Sequence, residues 1–140
     1  MIIILSAPSS CGKNVIAAVL LKRLPRLKRV ITATTRQKRL NERAGRDYYF
    51  WSKEKFENKV TQNAMTEWAK VHNDLYGIPS SAIEKILQGD QTPLLVIDVQ
   101  GEKTIKKVWP QALSIFIKPE SIKAMKTWLI RRGRNTPEEI

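Results

Sequence analysis

The segment Ala7-Pro8-Ser9-Ser10-Cys11-Gly12-Lys13-Asn14 is the first place in the chain where residue types and spacing point to chemistry. It follows the phosphate-loop pattern G-x-x-x-x-G-K-[ST] in part. Such a loop works because small residues let successive backbone N–H groups curl around a phosphate. A helix then starts with its positive end aimed at the anion, and a lysine reaches the terminal phosphates. Gly12 and Lys13 are in place, and Ser9 and Ser10 are small. Ala7 replaces the first glycine, which requires a negative φ at that position. Asn14 stands where a hydroxyl would touch Mg²⁺; an amide oxygen can coordinate or hydrogen-bond a hydrated ion, but at a different reach. The plain alternative is a Ser-rich turn followed by an ordinary surface lysine.

A second anion site is suggested further on. Lys22 to Arg46 holds ten basic residues against one acid, Glu42, a local charge of +9. Such a density repels itself unless an anion sits there. Arg36 and Arg39, three apart, can fork onto a phosphate, and the hydroxyls of Tyr48 and Tyr76 can complete a cage. A solvated charge run is the bland reading. Nonspecific RNA or DNA binding is another, and it predicts an affinity that falls steeply with salt.

The elements that must hold these residues alternate between strand and helix. Ile2 to Leu5 is a continuous β-branched apolar run, the pattern of a strand buried on both faces. A helix is expected over Asn14 to Leu24, with Val15, Ile16, Val19, Leu20 and Leu24 on its apolar stripe, Lys22 and Arg23 at its negative end and Pro25 closing it. A strand is expected at Arg29 to Thr35, another at Asp47 to Trp51, and a short helix after Ser52. Glu67 to Val71 is ambiguous. Ser81-Ala82-Ile83-Glu84 reads as a capping box opening a helix that Gly89 ends. Pro93 to Asp98 is again a buried strand, followed by a helix over Glu102 to Val108, a strand over Leu113 to Ile117 and a helix from Ser121 to about Arg131. Strands alternating with helices imply a parallel sheet covered on both faces. Thr136-Pro137-Glu138-Glu139 is a strong helix start with only Ile140 behind it, so the sequence is expected to be a fragment or a truncated product.

Length and composition narrow the classes. At 140 residues and 42% apolar content the chain suits one packed domain, and its net charge of +12 predicts phosphate-bearing partners. The first apolar run is far below the ~20 residues that span a bilayer and has no basic leader, so a cytoplasmic protein is expected. The single cysteine, Cys11, excludes a disulfide scaffold, and one histidine, His72, excludes a zinc finger. His72 reads as a surface residue, and the four tryptophans read as packing residues.

Several ordered blocks carry a resemblance. Thr32-Ala33-Thr34-Thr35-Arg36 with Arg39, Gly45 to Phe50, Glu67-Trp68-Ala69, Leu75-Tyr76-Gly77, Ile97 to Gly101 and Ser114 to Ile117 resemble guanylate kinases in order and spacing. The resemblance runs from residue 2 to residue 140. It implies a P-loop-type α/β fold, with a parallel-sheet core over residues 1–31 and 91–120. A small mixed GMP-binding subdomain would occupy 32–90, and a partial lid would start over 121–140. It implies ATP-dependent phosphorylation of GMP to GDP with Mg²⁺ as cofactor. Arg36, Arg39, Tyr48 and Tyr76 would hold the GMP phosphate, while Thr32, Glu67 and Asp98 would read the guanine edge. Ser9, Ser10, Cys11, Gly12, Lys13 and Asn14 would bind ATP. Lys13, Arg36 and Arg132 would act at the transferring phosphoryl group, Arg132 closing from the lid, and no side chain would ligate the metal directly, Asn14 reaching it through water.

The sequence departs from that family at Ala7, Ser10 and Asn14, and at Val96, where the family usually has an acid associated with the metal's water shell. Trp128 stands where a lid arginine is common, and Ile78 replaces a hydroxyl residue that touches the monophosphate. Besides the kinase, the sequence is therefore compatible with a guanylate-kinase-like binding module that keeps a GMP or protein ligand without turnover. The substrates would be GMP and ATP, with no membrane partner and no sequence-specific nucleic acid.

Overall fold

The computed structural model describes residues 1–8 and 11–132, Arg132 by its backbone alone. Ser9, Ser10, the Arg132 side chain and the expected helix start at Thr136 lie outside the described residues. In chain order the elements are β1 (Ile3–Ser6), α1 (Lys13–Arg23), β2 (Leu27–Arg29), β3 (Ala33–Thr34), β4 (Tyr49–Phe50), α2 (Lys53–Thr61), β5 (Met65–Val71), β6 (Asp74–Pro79), α3 (Ser80–Gln88), β7 (Thr92–Ile97), α4 (Val99–Val108), β8 (Leu113–Phe116) and α5 (Ile122–Arg132).

The apolar runs at 3–6, 27–29, 92–97 and 113–116 make one sheet in the order β2-β7-β1-β8, parallel throughout. Successive residues of a strand point to opposite faces, so these continuous runs feed two cores. Ile2, Ile4 and Leu95 join Ile83 of α3 and Ile105 of α4 on one face. Leu5 and Leu94 join Ala17 of α1 on the other, with Ile3 and Val96 partly buried beside them. Helices therefore cover both faces, as alternation of strand and helix requires.

A second sheet, β4-β3-β6-β5, is built from residues 33–34, 49–50, 65–71 and 74–79. It is mixed: β3 runs parallel to β4 and antiparallel to β6, and β5 and β6 form a hairpin. His72 sits at the hairpin tip with φ 55°, exposed to solvent.

Three expectations are corrected. The strand expected at Arg29–Thr35 is two strands in different sheets. Val30 N–H still donates to Leu94 of β7, whereas the carbonyl of Thr32 already accepts from Tyr49, so the chain changes sheet between them. The helix expected from a Ser81 cap starts at Ser80, with Pro79 at the cap position and no side-chain cap. There β6 runs directly into α3, and Ser80 N–H is taken by the carbonyl of Ala64. Third, the apolar stripe of α1 is not its buried face: Ala17 is buried, while Val15 is 70% exposed and Val19 46%. The helix packs over β1, β2 and β7, and among the described residues Leu113, Ile115 and Phe116 of β8 are exposed as well.

Leu95→Ala removes a fully buried side chain from the core against α3 and α4 and is expected to cost about 2–5 kcal/mol in urea unfolding. Val15→Ser, although it lies on the apolar stripe, is expected to stay within about 0.5 kcal/mol.

Candidate functional site

The parallel strands of the larger sheet end beside the second sheet, and in such sheets ligands bind outside the carboxyl ends of the strands. A cavity of about 250 Å³ lies there, lined by Thr32, Tyr48, Glu67, Tyr76 and Asp98 among others. Five of the seven residues expected to hold the monophosphate nucleotide thus share one wall. The volume lies just under the ~300–1,000 Å³ of pockets for drug-sized molecules, enough for one planar group rather than a whole nucleotide.

Glu67 reaches this cavity because β5 is irregular. The pairing of β5 with β6 shifts between Met65 and Glu67, and such a bulge re-aims side chains beside a site. Gly77 makes the close approach possible, since a Cβ there would lie 2.7 Å from the Glu67 carbonyl and 2.8 Å from Trp68 Cβ. Burial pushes the Glu67 carboxyl above its ordinary range, and the charge of Asp98 pushes it further the same way. Asp98 is the N-cap of α4, its Oδ1 accepting from the Gly101 N–H at 2.8 Å. It therefore serves the helix and the cavity together.

The residues expected to hold the phosphate gather around Arg36. Tyr48 and Tyr76 meet edge to face at 6.2 Å, and the Arg36 guanidinium lies 5.6 Å from the Tyr48 ring centre. Burial raises the Tyr48 hydroxyl pKa. Arg36 donates to Glu42 Oε1 at 2.7 Å and to the Gln37 carbonyl at 2.7 Å, which fixes the plane of the fork. The hydrogen bond to Glu42 raises the Arg36 pKa, and the same bond holds Glu42 below the usual carboxylate range. Arg39 joins through its backbone N–H, which donates to Glu42 Oε2 at 2.8 Å, while its side chain is exposed. Glu42, the single acid of the basic run, thus ties the two arginines together; the sequence reading counted it only as a charge.

At the phosphate loop, Gly12 has φ 73° and precedes the first residue of α1, a left-handed conformation that favours glycine. The non-glycine residues with positive φ are Asn63, His72 and Asp90 among the described residues, so Ala7 meets the condition its substitution imposed. Lys13 Nζ donates to the Ala7 carbonyl at 2.6 Å, folding back over the loop, and Cys11 is buried beneath. Two contacts escaped the sequence reading. Ser6 at the base of the loop donates to Glu102 of α4. Asn14 Oδ1 accepts from Arg29 at 2.9 Å. The only signal for Glu102 is its position one helical turn after Asp98; nothing local marks Arg29. Among the described residues no group of three or more His, Cys, Asp or Glu converges on a metal position. Asn14 Oδ1 is engaged by Arg29, and the position of Val96 is apolar.

A protein-family model described as "Guanylate kinase" matches residues 1–140. The chain is 39% identical over its whole length to the guanylate kinase of Clostridioides difficile strain 630, covering 68% of that protein. It is 36% identical to the one from Desulfitobacterium hafniense strain Y51, covering 70% of it. The crystal structure of guanylate kinase from Anaplasma phagocytophilum superimposes with a TM-score of 0.76 at 30% identity, over 94% of this chain and 66% of that one.

Because the pKa of Glu67 is raised on folding, the folded chain holds that proton more tightly than the unfolded one. The ionised group therefore subtracts stability as pH rises through its folded-state pKa, and nothing is subtracted well below the ordinary value of 4.5. Glu67→Gln is expected to raise Tm at pH 7 and to leave it unchanged near pH 3, as read by circular dichroism melts of the ligand-free protein.

Proposed function

The chain belongs to the guanylate kinase family, and we propose that the protein transfers the γ-phosphoryl group of ATP to GMP, giving ADP and GDP. The observation that carries this reading is the single cavity in which Glu67, Asp98 and Thr32 face Tyr48 and Tyr76, with the Arg36 guanidinium against the outer ring.

The chemistry of each wall suits one part of GMP. Glu67, once ionised, accepts from the ring N–H and the exocyclic amine of guanine together. Adenine presents an acceptor at the corresponding ring nitrogen and would leave the carboxylate unpaired. Asp98 and Thr32 supply further polar contact at that edge. Arg36 has donors left after Gln37 and Glu42, and with the Tyr48 and Tyr76 hydroxyls it forms a cage for the phosphate. Arg39 closes that cage from the exposed side.

For the donor, the loop amides from Ser9 to Asn14 and the α1 N-terminus hold the ATP phosphates, and Lys13 leaves the Ala7 carbonyl for them. Mg²⁺ enters as part of the ATP–Mg²⁺ substrate, where it neutralises phosphate charge. A phosphate oxygen of GMP then attacks the γ-phosphorus in line, the bond to the bridging oxygen breaks, and ADP leaves. The protein supplies position and fixed positive charge, from Lys13 and Arg36, with Arg132 as the contribution of the C-terminal end of α5. Such a reaction belongs in the cytoplasm, and no described helix is long and apolar enough to cross a membrane.

Calorimetric titration is expected to show GMP binding at least a hundredfold tighter than AMP, with that preference abolished in Glu67→Ala. In a coupled assay, ADP release should require GMP and ATP together, and Arg36→Met should lower it by about 10³. Equal affinity for the two monophosphates would defeat the reading.

A further inference from the structure

Arg29 is the last residue of β2 and is paired in register with Leu94 of β7, level with Ile3 of β1 and three residues short of Ser6, from which the phosphate loop leaves. Its guanidinium reaches back to that loop and donates from Nη2 to Asn14 Oδ1 at 2.9 Å. Asn14 directly follows Gly12 and Lys13 in the first turn of α1. The ion pairs among the described residues join Arg26 to Asp90, Arg36 to Glu42, Arg46 to Asp47 and Lys53 to Glu57. Arg29 is in none of them. It is half-buried, and a neutral amide holds it in place without cancelling its charge. Its field also extends to the other side of the cleft, where it lowers the pKa of Asp47 and opposes the rise at Tyr48.

We infer that Arg29, positioned by Asn14, binds the terminal phosphates of the donor nucleotide. The inference rests on the proposed function, and the resemblance to guanylate kinases assigns no role to Arg29. A guanidinium carries five N–H donors in one plane. With one on Asn14, the others remain to fork onto two phosphate oxygens. The amide at position 14 thereby changes the character of the loop: it brings a permanent organic cation to the place where a hydroxyl would meet a metal ion. A carboxylate there would have neutralised that cation, and a serine would be too short to hold it at the same distance. Held at Asn14 in the first turn of α1, Arg29 is placed to meet the phosphates that the loop would hold.

The test is titration of ATP, with and without Mg²⁺, and of GMP into the wild-type chain and into Arg29→Met, Arg29→Lys, Asn14→Asp and the double variant Asn14→Ala/Arg29→Met, with melts to confirm folding. Arg29→Met should weaken ATP binding about tenfold and flatten its dependence on salt, with a smaller effect on GMP. Arg29→Lys should recover part of the loss. Asn14→Asp should weaken ATP binding while Arg29 is intact, so the inference stays open to refutation even if Arg29→Met does not fold. The double variant should lose no more than about what Arg29→Met loses alone. Wild-type binding of ATP with unchanged affinity in a folded Arg29→Met, or an equal loss for ATP and GMP, overturns the inference alone. A wild-type chain that binds GMP but no ATP overturns the proposed phosphoryl transfer and this inference with it.

Discussion

The burial of the Glu67 carboxylate beside Asp98, in a cavity between two sheets, is the constraint on which the arrangement of the site depends. Glu67 comes from the smaller sheet and Asp98 from the end of the larger one, so their sharing one cavity requires the two sheets to be held next to each other. Several local features are needed to achieve this. The β5 irregularity aims Glu67, Gly77 admits the close backbone approach, and capping of α4 fixes Asp98. Each is a small structural concession made so that two negative groups face one space. A carboxylate desolvated in this way is stabilised by any group that donates hydrogen bonds to it.

The positive side of the cleft follows the opposite logic. Between Lys22 and Arg46 ten cations stand against one acid, and Glu42 is used where it orders the most: it joins Arg36 to the backbone of Arg39. The Arg36–Glu42 pair is largely buried, at 15% and 18% side-chain exposure, and its value lies in orientation rather than in net stability. Rings of Tyr48 and Phe50 face the guanidinium and restrict it further. A cation already fixed in its bound orientation loses little entropy when an anion arrives.

Much of this was legible in the sequence, for identifiable reasons. The runs Ile2–Leu5 and Leu94–Ile97 read as strands covered on both sides, and Gly12-Lys13 between a strand and a helix pointed to a phosphate loop there. The ordered blocks around Arg36, Tyr48, Glu67, Tyr76 and Asp98 gave the members of the cleft, and the structure brings five of the expected set to one cavity. What periodicity could not supply was partners. Apolar residues are spread around α1, and the side it buries is the one where the small side chain of Ala17 sits against the sheet. The single strand expected at Arg29–Thr35 is divided because its two halves bond to different neighbours, Leu94 on one side and Tyr49 on the other. Asn14 and Arg29 are joined only because the fold places the end of β2 within reach of the first turn of α1, and Ser6 and Glu102 are 96 residues apart. Contacts of that kind have no local signature.

The open flank of the larger sheet has a colloidal consequence. β8 bonds to β1 on one side, and Leu113, Ile115 and Phe116 lie bare along it. A strand margin of that composition is a ready template for stacking one molecule on another. What opposes stacking is the formal charge of +12, which keeps like molecules apart only as far as the surrounding electrolyte allows, about 10 Å at 0.1 M. The same excess of Lys and Arg that surrounds the cleft is thus also what opposes association of like molecules, and added salt weakens that opposition.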